Sequence, residues 1–127
     1  MKKVLPILLA ALLLAGCAAP AGENSYRQIS MTDAVTMMEE ETGYIILDVR
    51  TPEEFAEKHI PGAVNVPNET IGTEEISELP DKDQLILVYC RSGNRSKQAS
   101  EKLAALGYTN IVEFGGINDW PGETVTE

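Results

Sequence analysis

"QLILVYCRSGNRSKQASEKLAALGYTNIVEF" (residues 84–114) carries most of the fold in one run. Its opening block, "QLILVY", is an unbroken apolar stretch of the kind that suits a strand buried on both faces. "NRSKQASEKLAALGY" follows with helical spacing: Ala99, Leu103 and Leu106 share a face, and Gly107 stands where a C-cap is needed. "NIVEF" reads as the next strand. Between the first strand and the helix lies "CRSGNRS" (residues 90–96), which puts a thiol, two arginines and a glycine into one short turn.

The same alternation extends upstream. "ISMTDAVTMMEEE" predicts a helix with Ser30 as N-cap, Asp33 in its first turn, and an apolar face of Ala34, Val35 and Met38. "YIILDVR" is a second apolar strand. "TPEEFAEKH" predicts a short helix capped by Thr51, with Pro52 and two acids at its start. "IPGAVNVP" turns into a short extended piece, "ETIGTEEISELP" predicts a weak helix ended by Pro80, and "GGINDWPGE" turns and closes the domain. Strands alternating with helices predict an α/β domain of three layers, a central and mainly parallel sheet with helices on both faces. Ligands of such sheets sit off the carboxyl ends of the strands. Asp48 and Arg50 end one strand and Cys90 ends another.

The chain has 127 residues, enough for one domain plus a short extra segment, and its small size makes a monomer the default. Twenty acidic against ten basic residues give a formal charge of −10. The acids are spread along the chain as a solvated surface, and this balance argues against a nucleic-acid partner, which needs a basic stripe.

"MKKVLPILLAALLLAGC" (residues 1–17) has a basic start, an apolar run and a small-residue end. The run is about 12 residues, short of the ~20 that cross a bilayer as a helix, and so has the pattern of a signal peptide. "LAGC" resembles the end of a bacterial lipoprotein signal. That resemblance implies a signal peptide over residues 1–16, cleavage before Cys17 and diacylglycerol on its sulfur. The protein would then sit outside the cytoplasmic membrane, held to it by the lipid anchor. Residues 17–27 would be the lipidated cysteine and a tether, since "AAPAGENSYRQ" is small, polar and without periodicity. The folded domain would run over residues 28–127. With Cys17 lipidated, Cys90 has no partner for an intramolecular disulfide and is either a buried filler or a reactive thiol.

Its surroundings favour reactivity, because a thiol is a nucleophile as thiolate. Cys90 precedes a helix N-terminus, where free N–H groups and the dipole attract negative charge. Arg91 and Arg95 add full positive charges. Gly93 lets the loop curl into an anion nest, and Ser92, Asn94 and Ser96 offer polar side chains in the same turn.

"CRSGNRS" resembles the active-site loop of single-domain rhodaneses, sulfurtransferases that carry sulfane sulfur as a cysteine persulfide. "ILDVRTPEEFAEKHIPGAVNVP" and "FGGINDWPGE" resemble the family's other two signatures, so the likeness spans about residues 28–125. Lys58 departs from it, standing where a glycine is common before the histidine; that alters a helix end rather than the chemistry. The resemblance implies a rhodanese-like fold and a reaction that moves sulfur from an anionic donor such as thiosulfate to cyanide or a thiol. Cys90 would accept and release the sulfur. The amides of Cys90, Arg91, Ser92, Gly93, Asn94 and Arg95 would hold the persulfide, and Arg91 and Arg95 would attract the donor. Asp48 and Arg50 would brace the pocket, with Arg50 paired to Glu53 or Glu54. Trp120 and Phe114 are core residues on this reading.

Other readings compete. Some rhodanese-like domains are non-catalytic binding or sulfur-sensing modules; loss of the cysteine is their usual mark, and Cys90 is present. Related phosphatases and arsenate reductases place five residues between cysteine and arginine, whereas four lie between Cys90 and Arg95, a cradle better sized for sulfur than for phosphate. Disulfide exchange lacks a second cysteine to resolve a mixed disulfide. His59, the one histidine, stands at a helix end and is expected to fix a turn. One histidine and one free cysteine make no zinc set, and no cofactor motif appears.

Overall fold

The computed structural model describes residues 25–126. The segment read as signal peptide, lipidated Cys17 and most of the tether lies outside the described residues. Five strands form one sheet in the order β1-β5-β4-β2-β3, and every pairing is parallel. They are β1 (Arg27–Gln28), β2 (Ile45–Asp48), β3 (Val64–Asn65), β4 (Ile86–Cys90) and β5 (Ile111–Gly116). Three helices connect them: α1 (Met31–Glu40), α2 (Pro52–Glu57) and α3 (Asn94–Ala105). Among the described residues no helix is long and apolar enough to cross a membrane.

The α/β class and parallel sheet follow from the two apolar strands, which lie side by side in the register Ile45↔Ile86 and Leu47↔Val88. Period-two alternation then sorts their side chains onto two faces. Ile86, Val88 and Cys90 pack with Leu47, Val49 and the α3 residues Ala99 and Leu103. Leu87 and Tyr89 pack on the other face with Ile46, Val112, Phe114 and Ala34 of α1. Phe114 is buried and Trp120 packs against this second cluster, as expected. Cys90 therefore lies on the α3 face because it is an even-numbered partner of Ile86 and Val88.

The caps read from sequence form. Ser30 Oγ accepts the Asp33 N–H at 3.0 Å. Thr51 Oγ1 accepts the Glu54 N–H at 3.2 Å while the Glu54 carboxylate accepts the Thr51 N–H at 2.9 Å, a reciprocal capping box.

Two expectations are corrected. Residues 69–80 form no α-helix; a single 3-10 turn, Asn68–Thr70, is followed by bends and turns. Gly72 and the β-branched Thr70, Ile71 and Thr73 weaken helical propensity, and Glu69, Glu74, Glu75 and Glu78 repel one another without an intervening base. The segment is held instead by burial of Ile71 and Leu79 and by the Tyr108 hydroxyl donating to the Leu79 carbonyl at 2.6 Å. The tether also ends earlier than read: Tyr26 packs on the core and Arg27 is already in β1, paired with Val112.

The β4–β5 ladder slips where it matters. Val88 pairs with Glu113 but Cys90 with Gly116, so β5 carries one extra residue. Gly115, at φ 105°, takes up that bulge. A Cβ on Gly116 would meet the Arg91 carbonyl oxygen at 2.0 Å, so only glycine lets the Cys90 loop lie against β5.

Candidate active site

Cys90 is the last residue of β4 and is 1% exposed. The chain then turns through Arg91 and Ser92 to Gly93, which precedes α3 with φ 119°, a left-handed conformation that favours glycine. This turn aims the Gly93 N–H at the Cys90 sulfur, 3.0 Å away. Ser96 Oγ lies 3.4 Å from the sulfur on its other side. The sulfur thus rests at the start of a twelve-residue helix, between one amide and one hydroxyl. The expected ring of several amides is, at the sulfur itself, a single amide. Ser92 and Asn94 are exposed at the rim, and only Ser96 of the polar trio reaches Cys90.

The arginines are organised by Glu54, which the sequence reading set against Arg50 instead. Glu54 binds Arg95 with both oxygens, at 2.8 and 3.1 Å, and Arg91 Nε at 3.2 Å. Its capping box holds it in place, so one side chain both starts α2 and clamps the loop. The Arg95 hydrogen bonds, against the opposing effect of burial, hold the Glu54 carboxyl well below the usual carboxylate range. The same bonds raise Arg95 further above its ordinary value. Arg95 is largely occupied, whereas Arg91 is 55% exposed in its side chain. Among the described residues, the terminal nitrogens of Arg91 carry no hydrogen bond, which leaves them open to an anion at the rim. The signal for Glu54 was its place three residues after Thr51, but nothing in sequence spacing points a capping acid at a loop 37 residues away.

Asp48 and Arg50 come together, but not as expected. Arg50 pairs with Asp48 at 2.7 Å rather than with Glu53 or Glu54, and its other bond goes to the Lys58 carbonyl at 2.7 Å. Both residues are almost fully buried, and a carboxylate two residues away is within reach without unburying the guanidinium. Tyr89 donates to the same Asp48 carboxylate at 2.6 Å and accepts the Ile60 N–H at 3.1 Å. Burial first, and then its bond to Asp48, push the Tyr89 hydroxyl well above its ordinary pKa. This network ties the end of β2 to the 58–60 turn on the face opposite Cys90. His59 serves that turn too, with Nδ1 2.8 Å from the Phe55 carbonyl and its ring stacked on Phe55.

A second buried carboxylate belongs to the loop. Glu113 of β5 is 3% exposed and approaches Ser96 Oγ at 2.5 Å. A groove of about 490 Å³ opens beside it, lined in part by Ser92, Gly93, Lys97, Phe114 and Asp119. Among the described residues no three histidines, cysteines or acids are grouped to hold a metal.

The site thus belongs to an α/β domain with a buried cysteine at the end of a parallel strand, cradled by a glycine turn at a helix start. The Rhodanese-like domain family model matches residues 30–123, and the chain belongs to that family. It is 38% identical over 73 residues to thiosulfate sulfurtransferase PspE of Escherichia coli, covering 58% of this chain and 70% of that protein. It is 42% identical over 77 residues to a sulfurtransferase of Allochromatium vinosum, covering 60% and 70%. Among solved structures, a rhodanese with anions from E. coli superposes with TM-score 0.60 at 36% identity, covering 66% of this chain and 99% of that one. The chain is thus a rhodanese-like domain related to sulfurtransferases.

Proposed function

We propose that this protein is a rhodanese-type sulfurtransferase that takes sulfane sulfur from an anionic donor such as thiosulfate and passes it to cyanide or a thiol. The Cys90 thiolate attacks the outer sulfur of thiosulfate. The donor S–S bond breaks, sulfite leaves with the electron pair, and Cys90 becomes a persulfide. The acceptor then attacks the outer sulfur, the new S–S bond breaks, and the thiolate is restored. The observation that carries this reading is the seating of Cys90, with the Gly93 N–H on its sulfur and the α3 N-terminus behind it. Fixed donors of this kind stabilise the negative charge that a persulfide carries, as an oxyanion hole does. Arg91, open at the rim, makes paired hydrogen bonds to the donor.

The test is thiocyanate formation from thiosulfate and cyanide. Arg91→Ala should raise the thiosulfate KM about tenfold, the loss of roughly one charge-assisted hydrogen bond, with the fold intact. Unaltered saturation would contradict the Arg91 role. No turnover with thiosulfate, polysulfide or small persulfides in a folded protein would contradict the reaction and favour a binding module.

The proposal extends to location: the protein works outside the cytoplasmic membrane, anchored by lipid on Cys17. "LAGC" at the end of a short apolar run supports it. Cys17→Ala should move the protein from the membrane to the soluble fraction, and unchanged membrane association would rule the anchor out.

A further inference from the structure

We propose that Glu113, acting through Ser96, shares a single proton with Cys90 and thereby sets when the sulfur stands as thiolate. This deepens the sulfurtransferase reading and rests on Cys90 being the reacting sulfur.

The argument starts from an oddity of β5. A strand buried on both sides holds a carboxylate in its middle, and no arginine or lysine pairs with it among the described residues. Glu113 Oε2 accepts the Gly115 N–H at 3.0 Å and the Ser96 hydroxyl at 2.5 Å, and Oε1 accepts Gln28 Nε2 at 3.3 Å. Ser96 is fully buried, and its oxygen is 3.4 Å from the Cys90 sulfur. Cys90, Ser96 and Glu113 therefore form a continuous chain inside the domain.

A hydroxyl has one hydrogen to give. While Glu113 is ionised, its oxygen is the nearest acceptor and takes the Ser96 hydrogen, ahead of the Gly93 carbonyl at 3.0 Å and the Gly115 carbonyl at 3.3 Å. Ser96 then turns lone pairs to the sulfur and is satisfied by a protonated thiol. Thiolate formation reverses the chain. The Cys90 proton passes to Ser96 Oγ as the Ser96 proton passes to Glu113 Oε2. No other bond changes, and the net charge of the three groups is the same before and after. Ser96 is now a donor to the thiolate, and Glu113 a donor to Ser96. The regular β4–β5 register places Glu113 opposite Val88, and the ladder slips only beyond it, where Cys90 pairs with Gly116.

Other charged groups are placed less directly. Arg95 is within electrostatic reach of Cys90, but its hydrogen bonds go to Glu54; Arg91 is bound to Glu54 through Nε. Tyr26 feels Glu113, and Lys97, Asp33 and Asp119 share the groove beside it, with no hydrogen bond to it. Glu113 is thus a positioning residue rather than a group that touches substrate.

The test is the pH profile of Cys90 alkylation by iodoacetamide, read by intact mass on the full-length chain without any sulfur donor. The native chain should show two coupled titrations. Glu113→Gln, which removes the charge and the proton site, should show one, with alkylation below neutral pH faster by about tenfold. Glu113→Asp keeps the charge but loses the reach to Ser96, and should resemble Glu113→Gln. In a Ser96→Ala background, Glu113→Gln should change the rate by less than about twofold. Identical profiles for the native chain and Glu113→Gln would overturn the proposal. So would a Glu113→Gln effect that survives Ser96→Ala, because the carboxylate would then act through space. Should Glu113→Gln not fold, Ser96→Ala alone must still reduce the profile to one titration. Because alkylation needs no donor, failure here is distinct from failure of sulfur transfer.

Discussion

Asp48 and Glu113 are both buried carboxylates on parallel strands of one sheet, and they are satisfied in opposite ways. Asp48 has a cation: Arg50 at 2.7 Å, with the Tyr89 hydroxyl added at 2.6 Å and the Arg50 backbone N–H donating at 2.9 Å. Glu113 has hydroxyl, amide and backbone donors and no cation among the described residues. The first network is closed, its charges cancelling inside the domain. The second runs through Ser96 to the Cys90 sulfur. The difference teaches how one sheet uses buried carboxylates in two ways: one is neutralised by a cation and braces a turn, and the other is held by neutral donors beside the Cys90 loop.

The largest effect should come from giving Asp48 the condition Glu113 already has. Arg50→Met strands a buried carboxylate without its partner, and breaking such a pair costs about 3–5 kcal/mol. Denaturant unfolding should show that loss, while sulfur loading in the folded fraction stays near native because the network lies on the face away from Cys90. A loss below about 1 kcal/mol would mean that the two carboxylates differ less than argued. A smaller effect is expected on the loop side. Gly93→Ala forces a Cβ into left-handed backbone, a strain of about 1–2 kcal/mol, and tilts the one amide that meets the sulfur. Persulfide formation should slow more than stability falls; the reverse order would make Gly93 only a hinge. The smallest effect concerns the third carboxylate, Glu54. Its folded pKa lies below the ordinary 4.5, so its contribution is complete above about pH 4.5 and drains as pH falls below it. Glu54→Gln should lower stability on the neutral side and flatten its decline with acid, so that the two curves converge as pH falls, as a urea series from pH 3 to 7 would reveal.

What was legible in sequence tracks what side-chain patterning can encode. The two apolar strands, the Ser30 and Thr51 caps and the α3 face were visible because burial and capping repeat at fixed spacings. β1 was not, because it is two exposed polar residues with no apolar alternation to mark a strand. Residues 69–80 were misread because scattered apolar residues mimic a weak helix until their tertiary anchors are known. In the site, Cys90 and its loop stood out, while Glu54 and Glu113 did not. Glu54 reads as a partner for Arg50, and nothing in the spacing points it at Arg91 and Arg95. Glu113 had a usable signal, a lone acid inside an apolar strand, but its partner Ser96 lies on a helix 17 residues away that only the folded sheet brings to it. Arg50 was assigned a partner on α2 because acids there were near in sequence, whereas burial selected the nearer Asp48.

The measurement that bears most directly on the central claim is the intact mass of the protein after thiosulfate, with Cys90→Ser alongside. Sulfur transfer predicts a gain of one sulfur atom, removed by cyanide and absent from the variant. A folded native protein that gains no sulfur from thiosulfate, polysulfide or small persulfides, or a Cys90→Ser variant that gains it equally, would contradict the account.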